Sequence, residues 1–66
     1  MSLDEASRQL ELAIHDARVA FDCIELEDVD TAHTNSITAR AALDAAETAL
    51  RAALEDRKAA PAADEG

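Results

Sequence analysis

Glycine and proline are almost missing from this 66-residue chain: there is one of each, Pro61 and Gly66, both near the C-terminus. Their scarcity argues against the frequent reversals of a sheet protein and leaves long helices, which the abundant alanine favours. Cysteine is scarce too, and a single thiol, Cys23, makes no internal disulfide, which fits a reducing compartment. No apolar run approaches the roughly 20 residues needed to cross a bilayer. Nor does the N-terminus pair a basic segment with an apolar one, as a secretory signal does. A soluble, cytoplasmic protein is therefore expected. Positive charge is also in short supply: six Lys and Arg stand against fifteen Asp and Glu, for a formal net charge of −9 at pH 7. Nucleic acid and anionic membranes should repel such a chain, so neither is an expected direct partner, and a basic protein surface is.

What is present is helical rhythm. Ser2 and Glu5 form an S-x-x-E capping box, with Asp4 and Glu5 suited to the positive end of a helix dipole. From there Leu3, Ala6, Leu10, Ala13, Ala17, Ala20 and Ile24 recur at alternating steps of three and four, broadened by Ile14 and Phe21. After a polar interval at Glu27–Asp30 the rhythm resumes through Ala39, Leu43, Ala46, Leu50 and Ala53. The fold class is all-α, an antiparallel two-helix hairpin spanning residues 1–60. Helix 1 is predicted over about residues 3–28 and helix 2 over about 31–60, with a disordered tail at 61–66. Asp30 or Thr31 is the preferred N-cap of helix 2, although Thr34, Asn35 and Ser36 are also competent. A reversal near residue 30 sets Phe21 by Ala39, Ala17 by Leu43, Ile14 by Ala46 and Leu10 by Leu50, large against small. Arg40 with Asp44, Glu47 with Arg51 and Arg51 with Glu55 are spaced for ion pairs on the outer side of helix 2.

A second apolar strip runs beside that seam. Leu12, Val19 and Leu26 recur every seven residues, with Cys23 beside them, and Ile37, Ala41, Ala45 and Ala52 fall outside the main stripe of helix 2. So small a domain, with no disulfide or metal to staple it, needs further burial. The strip is therefore expected to form a homodimer, most simply a two-fold four-helix bundle.

Sites for chemistry are scarce. His15, His33 and Cys23 lack the spacing that puts two donors on one metal. The run from Asp28 starts like a calcium loop but lacks the glycine and distal Glu of one. No nucleophile triad or phosphate loop is present, so neither enzyme activity nor a cofactor is expected. The acidic cluster is more informative. Asp22, Glu25, Glu27, Asp28 and Asp30 fall within nine residues at the hairpin tip with no base among them. The helix dipole disfavours Glu25 and Glu27 at the end of helix 1. Asp28 and Asp30 can instead serve the start of helix 2. The tip is thus a candidate partner-binding surface.

In size, acidity, hairpin pattern and expected dimerisation, residues 2–60 resemble phage-encoded anti-activators and antirepressors that disable host transcription regulators, including those of quorum sensing. That resemblance implies a small inhibitor that docks on the basic surface of a DNA-binding regulator in the bacterial cytoplasm. Carboxylates spaced along a rod can imitate phosphates on such a surface. A second resemblance rests on Glu27, Asp30 and Ala32, spaced like the Asp-x-x-Asp-x-Ala tip of DksA-like factors. It implies insertion into the RNA polymerase secondary channel, with Glu27 and Asp30 near the polymerase's magnesium. Here, however, Glu stands in place of the first Asp, and these 66 residues contain no zinc-binding or globular anchor. A structural assembly subunit is the third reading.

Overall fold

The computed structural model of the chain describes residues 3–59. The expected capping serine, Ser2, and the expected tail at 61–66 lie outside the described residues. Within them there are two helices, α1 (Leu3–Glu25) and α2 (Val29–Ala59), packed along their lengths as an all-α hairpin. The hairpin is a rod with extents of 56 × 14 × 12 Å.

The reversal occupies three residues, and hydrogen bonds explain its tightness. Glu27 N–H donates to the Ile24 carbonyl at 3.0 Å and Asp28 N–H to the Cys23 carbonyl at 2.8 Å, the paired bonds of a Schellman motif. Glu27 sits at the left-handed position, φ 61°, where glycine is usual. Asp28 then opens α2: its Oδ1 accepts from Thr31 N–H at 3.2 Å and its carbonyl from Ala32 N–H at 3.0 Å. One residue thus ends the first helix with its N–H and begins the second with its carboxylate.

These bonds correct two expectations. The N-cap is Asp28, not Asp30 or Thr31, and α1 stops at Glu25 rather than near 28. The polar run that looked like a choice of caps is helical. Asn35 Nδ2 donates to the Thr31 carbonyl at 3.0 Å, Ser36 Oγ to the Ala32 carbonyl at 2.8 Å and Thr38 Oγ1 to the Asn35 carbonyl at 3.0 Å. Side chains that bond back to the carbonyls of their own helix in this way are compatible with it, at a small cost in helix stability.

The seam is made of small side chains. The buried residues are Ala6, Ala13, Ala20 and Cys23 on α1 and Ala32, Ala39, Ala42 and Ala46 on α2; Ala46 is deepest, at 1 % exposure. Both helices repeat alanine every seven residues, 6, 13 and 20 against 32, 39 and 46, so two matched flat stripes meet. Flat stripes let helix backbones approach closely, and each buried methyl contributes about 0.8 kcal/mol. Counting outward from Glu27 sets Ala20 across from the turn carrying Ala32, Ala13 across from Ala39 and Ala42, and Ala6 across from Ala46.

The expected large-against-small seam is therefore rotated. Gln9 and Asp16 are half-buried at its edge, while Leu3, Leu10, Ile14, Ala17, Phe21 and Ile24 are exposed. Phe21, Ala39, Ala17 and Leu43 do share a groove, with Ala20, Ile24, Ser36 and Arg40, but it lies along the flank of the hairpin. The cause is geometric: the earlier reversal changes which residues face each other, and the matched alanines take the seam.

Candidate functional site

Two surfaces stand out. The first is the tip. Asp22, Glu25, Glu27, Asp28 and Asp30 are all exposed around the three-residue turn. Asp28 is committed to the N-cap, and Asp30 stands in the first turn of α2, where the dipole favours it. The carboxylates of Asp22, Glu25, Glu27 and Asp30 have no hydrogen-bond or ion-pair partner among the described residues. Glu25 lies in the last turn of α1, which has no basic residue to offset it, and Glu27 occupies a position that costs a non-glycine residue on the order of 1 kcal/mol. Local folding therefore accounts for Asp28 and Asp30 and leaves Asp22, Glu25 and Glu27 unaccounted for.

Elsewhere some of the carboxylates find partners, Glu5, Asp16 and Glu47 among them. Glu5 Oε2 accepts from Gln9 Nε2 at 2.9 Å, and Glu5 Oε1 is held by the Arg8 guanidinium. The Gln9 hydrogen bond, then Arg8 by hydrogen bond and charge, lower the Glu5 carboxyl below the usual glutamate value. Glu47 Oε1 meets Arg51 Nη2 at 2.8 Å, and His15 Nδ1 lies 3.2 Å from Asp16 Oδ1. Of the three pairs expected on helix 2, only Glu47 with Arg51 forms; Arg40 with Asp44 and Arg51 with Glu55 do not close. Among the described residues no group of three His, Cys, Asp or Glu side chains gathers where a metal could sit, and no helix is long and apolar enough to cross a membrane.

The second surface is apolar, and it is not the strip expected from the sequence. In that strip Cys23 is buried inside the hairpin at 8 % exposure, a correction that removes it from any outer face. Val19 and Ala45 are half-buried at the seam's edge. Leu12, Leu26 and Ala41 are exposed, Leu26 most of all at 78 %. Ile37 shares a shallow depression with His33, Ser36 and Arg40, two of which also line the groove beside Phe21. It therefore sits toward that groove.

The large side chains lie on the opposite flank. One position beyond each seam residue of α1 runs a second heptad stripe: Leu3, Ser7, Leu10, Ile14, Ala17, Phe21 and Ile24, uncharged throughout. Leu43, Leu50 and Leu54 of α2 add to it. The eight large members are each between 37 % and 66 % exposed. Near the tip the groove beside Phe21 encloses about 390 Å³, and at the open end a cleft of about 490 Å³ is lined by Leu3, Leu50, Ala53, Leu54, Asp56 and Arg57. Sequence reasoning assigned Leu10, Ile24, Leu43 and Leu50 to the internal seam and so missed this face. The matched alanine repeats were the signal that would have found it.

No protein-family model matches the chain, and no curated protein or solved structure is significantly similar to it.

Proposed function

We infer that this protein is a small acidic interaction module that docks its hairpin tip on the basic surface of another protein and blocks that surface's normal ligand. The observation that carries the reading is the set of tip carboxylates without partners: Asp22, Glu25, Glu27 and Asp30 project around a turn fixed by the Schellman bonds and the Asp28 cap. Charge held on a rigid end loses little freedom on binding, and it steers encounter with a positive surface. A DNA-contacting face of a transcription regulator has that character. The resemblance to phage anti-activators points the same way, and with it to the bacterial cytoplasm as the site of action. Binding on this reading needs neither cofactor nor catalysis.

The test uses the immobilised chain in a bacterial lysate, beside a variant carrying Glu25→Gln, Glu27→Gln, Asp28→Asn and Asp30→Asn. Asparagine keeps the N-cap, so this variant should stay folded. A DNA-binding regulator retained by the original chain and lost by the variant, with affinity that weakens as salt rises, is the expected result. Equal retention by both would assign the tip charge to other ends and overturn the reading. Capture of core RNA polymerase, dependent on Glu27 and Asp30, would favour the secondary-channel reading that their spacing supports.

A further inference from the structure

We propose that the outer heptad stripe of α1 and the leucines of α2 beside it bind a second copy of this chain, related by a two-fold axis that lays the tip of each rod over the open end of the other. The assignment stands apart from the reading of the tip, since it rests on apolar periodicity, area and the distribution of charge.

Periodicity comes first. Alternating steps of three and four, sustained from Leu3 to Ile24 without a charged residue, make a helix seam in their own right, and α2 already occupies the alanine stripe next to it. At on the order of 180 Å² per large side chain, the exposed fractions amount to roughly 800 Å², what one partner contributes to a standard interface and more than monomers usually leave bare. Among the described residues the hairpin fully buries no side chain larger than cysteine. A domain of this size needs more burial than that, and a second copy supplies it without any further gene product.

Charge sets the orientation. Residues 19–39, the tip third of the rod, hold five acidic residues and no Lys or Arg, whereas all six bases lie outside that span. Parallel packing would set two such tips side by side. Antiparallel packing separates them and sets each beside the open end of the other copy, where Arg8, Arg51, Arg57 and Lys58 largely offset Asp4, Glu5, Glu47, Glu55 and Asp56. Shape agrees. At 1.5 Å per residue Phe21 stands about 27 Å along α1 from Leu3, so overlapping the two α1 helices end to end brings Phe21 of one copy over the open-end cleft of the other. Phe21 is 64 % exposed and the cleft walls are Leu3, Leu50, Ala53 and Leu54. A two-fold axis makes the insertion twice, which is how an isologous interface closes. The product is an antiparallel four-helix bundle presenting one acidic tip at each end.

Sedimentation equilibrium of the full chain over a wide concentration range is the first measurement. A reversible dimer is expected, with Phe21→Glu raising its dissociation constant at least about 100-fold, Phe21→Leu leaving it nearly unchanged, and Leu12→Ser with Val19→Ser changing it by less than about 3-fold. Because Phe21→Glu removes both dimer and support for the fold, orientation is read separately in a chain with Cys23→Ala and a spin label on Glu27→Cys. Antiparallel packing puts the two labels roughly 35–45 Å apart, and parallel packing under about 20 Å. A folded monomer at every concentration, a dimer that tolerates Phe21→Glu but not the Leu12 and Val19 changes, or adjacent labels would each overturn the proposal.

Discussion

Helix α1 carries two heptad stripes one residue apart, and they have opposite fates. Ala6, Ala13 and Ala20 are buried against α2, while Leu10, Ile14 and Phe21, far more apolar in bulk, are exposed. Hydrophobicity alone would reverse the assignment. What decides it is fit: α2 offers a matching alanine repeat at 32, 39 and 46, and two flat faces pack more closely than two ridged ones. The lesson is that the most apolar stripe of a helix need not be the one its own chain covers, especially when the neighbouring helix presents only methyl groups.

The largest effect expected from breaking this contrast is at Ala46. Leucine there has no space, so Ala46→Leu should cost about 1–3 kcal/mol through overpacking. That lowers the melting temperature in far-ultraviolet circular dichroism by several degrees or more at any protein concentration. Leu50→Ala, although it removes more apolar bulk, should in dilute solution cost less than Ala46→Leu. If the leucine change proved the worse one at every dilution, the seam would have been assigned to the wrong stripe.

The turn fixes which stripes face each other, so it comes next. Asp28→Ala removes the cap of α2 and should destabilise the hairpin by about 1 kcal/mol, with Asp28→Asn close to neutral. Urea unfolding of both variants checks this, and equal losses would mean that the Thr31 N–H is satisfied in another way. Glu27→Gly should do the reverse, stabilising the chain by up to about 1 kcal/mol because glycine accepts the positive φ without strain. A stabilised Glu27→Gly chain that captures less of the regulator proposed to dock on the tip would separate what folding requires there from what the proposed docking requires.

The smallest effect concerns Glu5 at the seam's N-terminal edge. Its carboxyl titrates below the ordinary glutamate range because Gln9 and Arg8 hold the charged form. A depressed native value means that the contribution to stability is present above the unfolded glutamate value and is lost as pH falls through the native one. Side-chain carbon shifts followed by NMR should place the Glu5 titration below the ordinary glutamate value. Arg8→Ala should move it back part of the way, with Gln9 keeping the remainder; no movement would remove Arg8 as a cause.

The helical hairpin was legible in the sequence because its signals are local: scarce Gly and Pro, heptad spacing, and a polar interval between two rhythmic segments. The tip carboxylates were legible for the same reason, since five acids close to a reversal remain there wherever the exact turn falls. Rotation about each helix axis was not. It depends on the register set by the Schellman bonds at Glu27 and Asp28, and Glu27 gives no warning that it will adopt a conformation usually reserved for glycine. The polar run from Thr31 to Thr38 was ambiguous as well, because the same side chains that cap a helix from outside can bond back to its carbonyls from within.

The division of labour between the stripes is open to direct measurement by methyl NMR with a soluble paramagnetic agent, across a dilution series. The alanine methyl groups of residues 13, 20, 39 and 46 should stay shielded from the agent at every concentration, while the methyl groups of Leu10, Ile14, Leu43 and Leu50 become accessible as the protein is diluted. Leucines shielded at the lowest concentration, with the alanines open to the agent, would show that the hairpin closes over its large side chains after all.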